Sequence, residues 1–404
     1  MTAPSRGRPR TDVLLPHAEA RLDGYLADLA DLVAIDSGSY SPAGVNRMAD
    51  WTRERLLRLG FDVERIAAAT TDGQPVGDLV VARKRGDLPV AEGGRRVLLV
   101  AHLDTVFEDG TAAGRPFALD GRMARGPGVC DDKGGLLAGL TALEILDESG
   151  VRQYAELVFL ATPDEEIGSP ASRPALEAAA CGAHFALALE CARENGDVVI
   201  ARKGVADFRV AVTGRAAHAG IEPERGANAA LAAAHLVVAL QALNGRWDDV
   251  TLNVGVVRAG TRANIVCPDA ELRVEVRSAT TAGIAAARSA IEAAAARPAV
   301  PGTTATVEQL DLCPPMEDTP ASRRMFDLAR KIAADLGIPL GGAATGGVGD
   351  ANFIAGIGVP TLDGLGPVGG ADHTPEEWLD TSTVPVRVTL LASLVAELGD
   401  SRIG

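Results

Sequence analysis

Along the first half of the chain, unbroken apolar runs alternate with stretches whose apolar residues recur every three or four positions. Residues 16–35 and 46–59 carry the helical spacing, and the second stops at Gly60. Strand-like runs follow at 61–66 and 78–82. RRVLLVAHLDTV (95–106), AELVFLAT (155–162) and AHFALALE (183–190) then contain continuous apolar segments suited to strands covered on both faces. DDKGGLLAGLTALEILDESG (131–150) reads as a helix ending at Gly150. Strands alternating with helices predict an α/β layer, a mostly parallel sheet with helices on both faces.

After about Lys203 the period changes. VADFRVAVTG (205–214), VTLNVGVV (250–257) and AELRVEVRS (270–278) alternate apolar and polar positions, with Ala-rich helical segments at 228–243 and 282–296. That pattern predicts an inserted α+β domain, an antiparallel sheet with one face covered by two helices. Beyond Pro314-Pro315 helical spacing and short apolar runs return. The expected organisation is a disordered segment at 1–15, a first domain from 16–203 and 315–404, and an insertion at 204–314.

Composition narrows the function classes. The formal net charge is −15 over 404 residues, which disfavours nucleic acid or an anionic membrane surface as a general partner. Five cysteines without CxxC spacing argue against a disulfide framework and against a structural zinc cluster, and fit a reducing cytoplasm. The start, MTAPSRGRPR, leads into no apolar signal core, and the apolar runs elsewhere read as too short to span a bilayer. A cytoplasmic protein is expected.

In an open α/β sheet, ligands bind beyond the carboxyl ends of the strands. Here those ends carry His102 and Asp104, Asp131-Asp132, Glu165-Glu166, and Glu190. One acidic residue after a strand is commonly a cap or a solvated turn, but several at consecutive strand ends point to a shared cation. Residues two apart in an extended segment point to one side, so Asp104 can orient His102 as a ligand. Among the six histidines, His17, His184 and His235 are assigned to packing; His102 remains, with His218 and His373 in glycine-bordered loops. Cys130, beside Asp131, reads as an apolar filler.

Taken in order, AHLDTVF, GPGVCDDKGG, PDEEIGS, Glu190, GRAAHAG, TGGVGDA and GADHTP resemble the dinuclear zinc exopeptidase and aminoacylase family, which includes glutamate carboxypeptidase, acetylornithine deacetylase and succinyl-diaminopimelate desuccinylase. The resemblance spans nearly the whole chain and is nearest to the glutamate carboxypeptidase-like members. It implies that Asp131 bridges two metal ions, with His102 and Glu190 completing one shell and Glu166 and His373 the other. Glu165 matches the general base, and Asp104 the residue orienting His102. Asp132 follows the bridge across a peptide bond that is cis in these enzymes. His218 resembles a group reaching the active site, typically across a dimer. Asn264 and Arg277 resemble substrate contacts, and Gly346 and Gly347 a backbone-lined substrate loop. The insertion becomes a lid and dimerisation domain.

The implied activity is hydrolysis of an amide next to a free amino-acid carboxylate, by a carboxypeptidase or N-acyl-amino-acid amidohydrolase. Two zinc ions per chain are expected, with cobalt or manganese as substitutes. A water between the ions would ionise at neutral pH, Glu165 passing its proton to the leaving amine, with His218 as an oxyanion donor. The partner would be a small peptide or N-acyl amino acid, and the chain a homodimer. Val348 and Asn352 depart from the desuccinylase-like pattern. The alternatives are a dipeptidase and a catalytically silent metal-binding homodimer, against which retention of Glu165 beside Glu166 argues.

Overall fold

The computed structural model describes residues 11–70 and 73–400. Residues 1–10 of the segment expected to be disordered lie outside that range, and the remainder corrects the expectation: a helix begins at Thr11 and runs to Ala20 through Pro16. Leu14 and Ala18 drive it, since both are buried in the main core. Pro16 gives up only the bond to the Asp12 carbonyl, near the helix start. A second helix, Leu22–Val33, follows after a break at Arg21.

The chain divides into two compact units, one comprising Met1–Ile200, Asp318–Ala344 and Gly349–Gly404, the other Ala201–Glu317 and Thr345–Val348. The insertion therefore differs from 204–314 at both ends and gains a later loop. Backbone hydrogen bonds explain the extension: Arg202 exchanges two with Met316, and Lys203 N–H donates to the Thr345 carbonyl.

In the first unit a six-stranded sheet has the order Asp62–Ile66, Leu79–Arg85, Glu156–Thr162, Arg96–His102, Phe185–Ala188, Thr361–Leu362. The last four strands run parallel to one another and Leu79–Arg85 runs antiparallel to both of its neighbours, so the sheet is mixed. Register positions the chemistry. His102 lies opposite Thr162, and Val100 lies opposite Leu160 and Ala188, so three neighbouring strands end together. The residues just past those ends share one edge.

The helix Lys133–Glu148 starts at that edge, with Asp132 preceding its first turn. A side chain at Gly135 would bring its Cβ to 1.8 Å from the Leu189 carbonyl oxygen and 2.0 Å from Asp132 Oδ1, so only glycine admits this approach. Helix Thr381–Gly399 is long and apolar enough to cross a bilayer, against the expectation that no run would be, but 78% of its apolar window is buried within this unit. A second sheet escaped the hydropathy pattern because its strands have two or three residues each: Gly369–Gly370, Trp378–Asp380, Met123–Arg125 and Ala118–Asp120.

The inserted unit holds an antiparallel sheet ordered Thr251–Ala259, Asp269–Ser278, Gly204–Thr213, Thr304–Cys313. Helices Ala229–Gln241 and Thr281–Ala295 pack on it, each with a side-chain N-cap, Asn228 and Thr280. All five cysteines are free thiols.

Gly135→Ala is expected to lower the urea midpoint at unchanged slope, a loss of about 2 to 3 kcal/mol from overpacking against the Leu189 carbonyl. An unchanged midpoint would mean that the helix start moves freely away from the strand end.

Candidate metal centre

Five of the strand-end and loop candidates converge. His102 Nε2 lies 2.9 Å from Asp131 Oδ1 and 3.7 Å from Glu190 Oε1. His373 Nε2 lies 3.2 Å from the other oxygen of Asp131 and 3.1 Å from Glu166 Oε2. Two donor trios result, His102/Asp131/Glu190 and Asp131/Glu166/His373, each with its donor atoms within 4.8 Å of one another. Asp131 belongs to both and turns one oxygen to each. The peptide bond between Asp131 and Asp132 is cis.

Asp104, 1% exposed, organises two segments at once. The His102 Nδ1 edge faces its backbone oxygen at 3.0 Å and its Oδ1 at 3.3 Å. The same carboxylate accepts the backbone N–H groups of Glu165 and Glu166, each at 3.2 Å, and the Ser39 hydroxyl at 2.7 Å. With Nδ1–H donated to Asp104, the Nε2 lone pair points at carboxylate oxygens. Only a proton or a cation between them makes that arrangement favourable.

Electrostatics agree. Although burial opposes it, hydrogen bonds with Asp104 and Asp131 hold His102 well above the ordinary imidazole range. His373 is pushed up to about 10 by hydrogen bonds with Asp131 and Glu166. Burial raises Glu165 well above the usual carboxyl range; His102 opposes that, and Glu190 and Asp350 reinforce it. The carboxylates demand positive charge, which protons or metal ions can supply. Glu166 Oε1 is buried without a hydrogen-bond partner. Two imidazoles and three carboxylates with an orphaned oxygen fit a pair of divalent ions of borderline softness.

Glu377 was absent from the sequence-derived candidates, and it shapes the centre. It is fully buried and accepts backbone N–H bonds from Gly128, Cys130 and Asp131 at 2.9, 2.8 and 3.0 Å. Burial raises it to about 7, against the pull of those three donors. Pairing of Trp378–Asp380 with Met123–Arg125 brings it there, and strands this short leave no periodic signal. Arg115 and Arg125 donate to the carbonyls of Pro375 and Glu376 and hold the same loop. His373 itself has φ 62°, a left-handed conformation that a non-glycine residue adopts at a cost. Asp350, accepting from Thr162 and Ser169 at 2.5 Å each, is a further buried acid behind Glu165.

Beside Glu166 opens a cavity of about 480 Å³ whose walls include Tyr40, Thr105, Val106, Phe107 and Ile167.

The remaining candidates belong to the inserted unit. His218 is exposed there, its Nδ1 accepting the Gly220 N–H at 3.2 Å, and Ala219 N–H reaches the Asn264 carbonyl. Arg277 pairs with Glu275 at 2.8 Å and donates to the Gly346 carbonyl at 3.1 Å, while Gly347 N–H reaches Thr345 Oγ1. The fold thus unites His218 with Asn264, and Arg277 with the glycine loop, as two separate groups. Asn352, in the first unit, is fully buried and its side chain accepts the Gly349 N–H, a capping role.

A model of the peptidase family M20/M25/M40 matches residues 98–397. Carboxypeptidase G2 of Pseudomonas sp. (strain RS-16) is 32% identical over 393 residues, spanning 96% of this chain and 93% of that protein. Acetylornithine deacetylase of Photorhabdus laumondii is 26% identical over 381 residues, spanning 90% and 91%. Among solved structures, aminopeptidase PepT from Bacillus cereus superposes with a TM-score of 0.71 at 22% identity, covering 93% of this chain and 98% of its own. The Bacillus subtilis YXEP protein, a dinuclear metal binding peptidase from the M20 family, has a TM-score of 0.68 at 17% identity, covering 95% and 99%. At these identities the structural likeness is one of fold.

Glu377→Gln puts an amide NH₂ in place of one of the two accepting oxygens, facing either the Gly128 N–H or those of Cys130 and Asp131, and should weaken metal retention against a chelator by about 10- to 100-fold, as losses behind metal ligands do. The exposed neighbour variant Glu376→Gln should match wild type. Equal retention in both variants would remove Glu377 from the centre.

Proposed function

The chain belongs to peptidase family M20/M25/M40, and from that premise we propose that this metal-dependent hydrolase cleaves an amide next to a free amino-acid carboxylate, as a carboxypeptidase or N-acyl-amino-acid amidohydrolase. The observation that carries the reading is the pair of donor trios sharing Asp131, with Glu165 beside them. His102, Asp131 and Glu190 would hold one ion, and Asp131, Glu166 and His373 the other. Zinc suits this donor set best. Such ions, when bound, lower the pKa of water and polarise a carbonyl.

The chain's own residues do the rest. Asp104 fixes the His102 ring and, through two backbone amides, the turn that separates the roles of Glu165 and Glu166. Glu166 faces His373, while Glu165 is left to take a proton from the attacking water. As a carboxylate it accepts that proton and, once protonated, it donates to the departing amine. The apolar and aromatic wall at Tyr40, Val106, Phe107 and Ile167 suits an uncharged acyl or side-chain group, with Ser41 adding a half-buried polar residue to the lining. Of the inserted-unit groups, His218 is the proposed oxyanion donor. Arg277 would hold a substrate carboxylate only in competition with Glu275.

We also propose a homodimer through the inserted unit. Thr251–Ala259 is an edge strand carrying exposed Val256 and Val257, and the helix packed on it exposes Leu231 and Val238. An exposed edge flanked by apolar side chains is a surface that partners pair with.

Glu165→Gln is expected to retain the wild-type metal content by elemental analysis and to lose at least about 100-fold in hydrolysis across a panel of N-acyl amino acids and dipeptides. Full metal with no turnover in either protein would leave a binding protein, and absence of metal from wild type would overturn the reading. Light scattering should give the mass of two chains for wild type and of one for Val257→Lys; a monomeric wild type would also remove any role for His218 across an interface.

A further inference from the structure

We propose that Cys130, Cys191 and Asp372 form a third cation site, selective for one thiophilic ion and sharing no donor atom with the hydrolytic centre. The two Sγ atoms and an Asp372 oxygen all lie within 4.8 Å of one another, and Cys191 Sγ is 3.7 Å from Asp372 Oδ1. Both sulfurs are free thiols. Sulfurs bound about 2.3 Å from one tetrahedral ion lie roughly 3.8 Å apart, so closure asks little of either side chain. Two thiolates and one carboxylate select zinc or copper(I) over magnesium, calcium or manganese.

The surroundings are built for sulfur. Cys130 is fully buried, and a Cβ at Gly369 would stand 2.3 Å from its Sγ, so the bare glycine makes its space. Cys191 and Asp372 are half-buried and give the ion its way in. Binding a divalent ion expels two thiol protons to solvent and moves no electrons.

Placement gives the site its meaning. Cys130 precedes Asp131, Cys191 follows Glu190 and Asp372 precedes His373. Consecutive side chains cannot aim at one point, so each of the three segments serves the hydrolytic centre with one residue and the sulfur site with its neighbour. An ion held by the second set fixes the backbone that carries the first.

The test uses the full chain carrying no more than two equivalents of zinc, with the exposed Cys181 replaced, Cys181→Ser, and cadmium, which thiolates prefer to zinc, as probe. One equivalent per chain should produce cadmium–thiolate ultraviolet absorption. That band should vanish in Cys130→Ser and in Cys191→Ser, and Asp372→Asn should weaken the apparent affinity at least tenfold. Should the buried Cys130 variant misfold by circular dichroism, the half-buried Cys191 variant decides alone. No band, a band that survives Cys191→Ser, or a Cys130–Cys191 disulfide recovered by mass spectrometry from the purified protein would each overturn the proposal. Cadmium exchanging into the hydrolytic centre meets only nitrogen and oxygen and gives no such band.

Discussion

Crowded negative charge at one sheet edge is the constraint on which the rest of this structure depends. Asp131, Glu166 and Glu190 meet two imidazoles there, with Glu165, Asp104 and Asp132 close behind. Carboxylates at such distances repel one another by several kcal/mol at an effective dielectric constant of about 20. The fold tolerates this only because cationic groups and oriented dipoles are built in around it. The parallel strands end in register, the helix Lys133–Glu148 directs its amino end to the same place, and backbone amides are turned inward.

Two buried acids do most of that turning. Asp104 gathers the amides of Glu165 and Glu166, and Glu377 gathers those of Gly128, Cys130 and Asp131. Each anchors the backbone of residues in or beside the two donor trios. This resolves the adjacency of Glu165 and Glu166: a turn fixed from behind holds one carboxylate toward His373 and leaves the other apart. Pro163 and Gly168 bracket that turn, and Gly168 adopts φ 85°.

Much of this was legible in the sequence because buried parallel strands are long apolar runs and their ends are marked by the first polar residues. His102, Glu166 and Glu190 could be found that way; Asp131 instead lies in the turn before the helix Lys133–Glu148, and the motif resemblance joined it and His373 to them. Glu377 could not, since its approach depends on strands of two or three residues that carry no period. Residues 345–348 fell to the wrong unit because one backbone hydrogen bond from Lys203, rather than composition, draws them across. The apolar spacing from Pro16 onward misses the first helix's opening turn, which burial of Leu14 extends back to Thr11. Nothing in hydropathy joins Cys130, in the turn before a helix, to Cys191, which lies just past a strand end.

The two donor trios are not equivalent, and the difference lies in His373. His102 ends a central strand and is 1% exposed; His373 sits in a left-handed loop conformation and its side chain is 56% exposed. One trio is rooted in the rigid sheet, while the other is completed by a residue that solvent reaches and whose backbone gains by relaxing. Of the two donor sets, the one completed by His102 is therefore the better shielded from solvent and the one completed by His373 the more open to it.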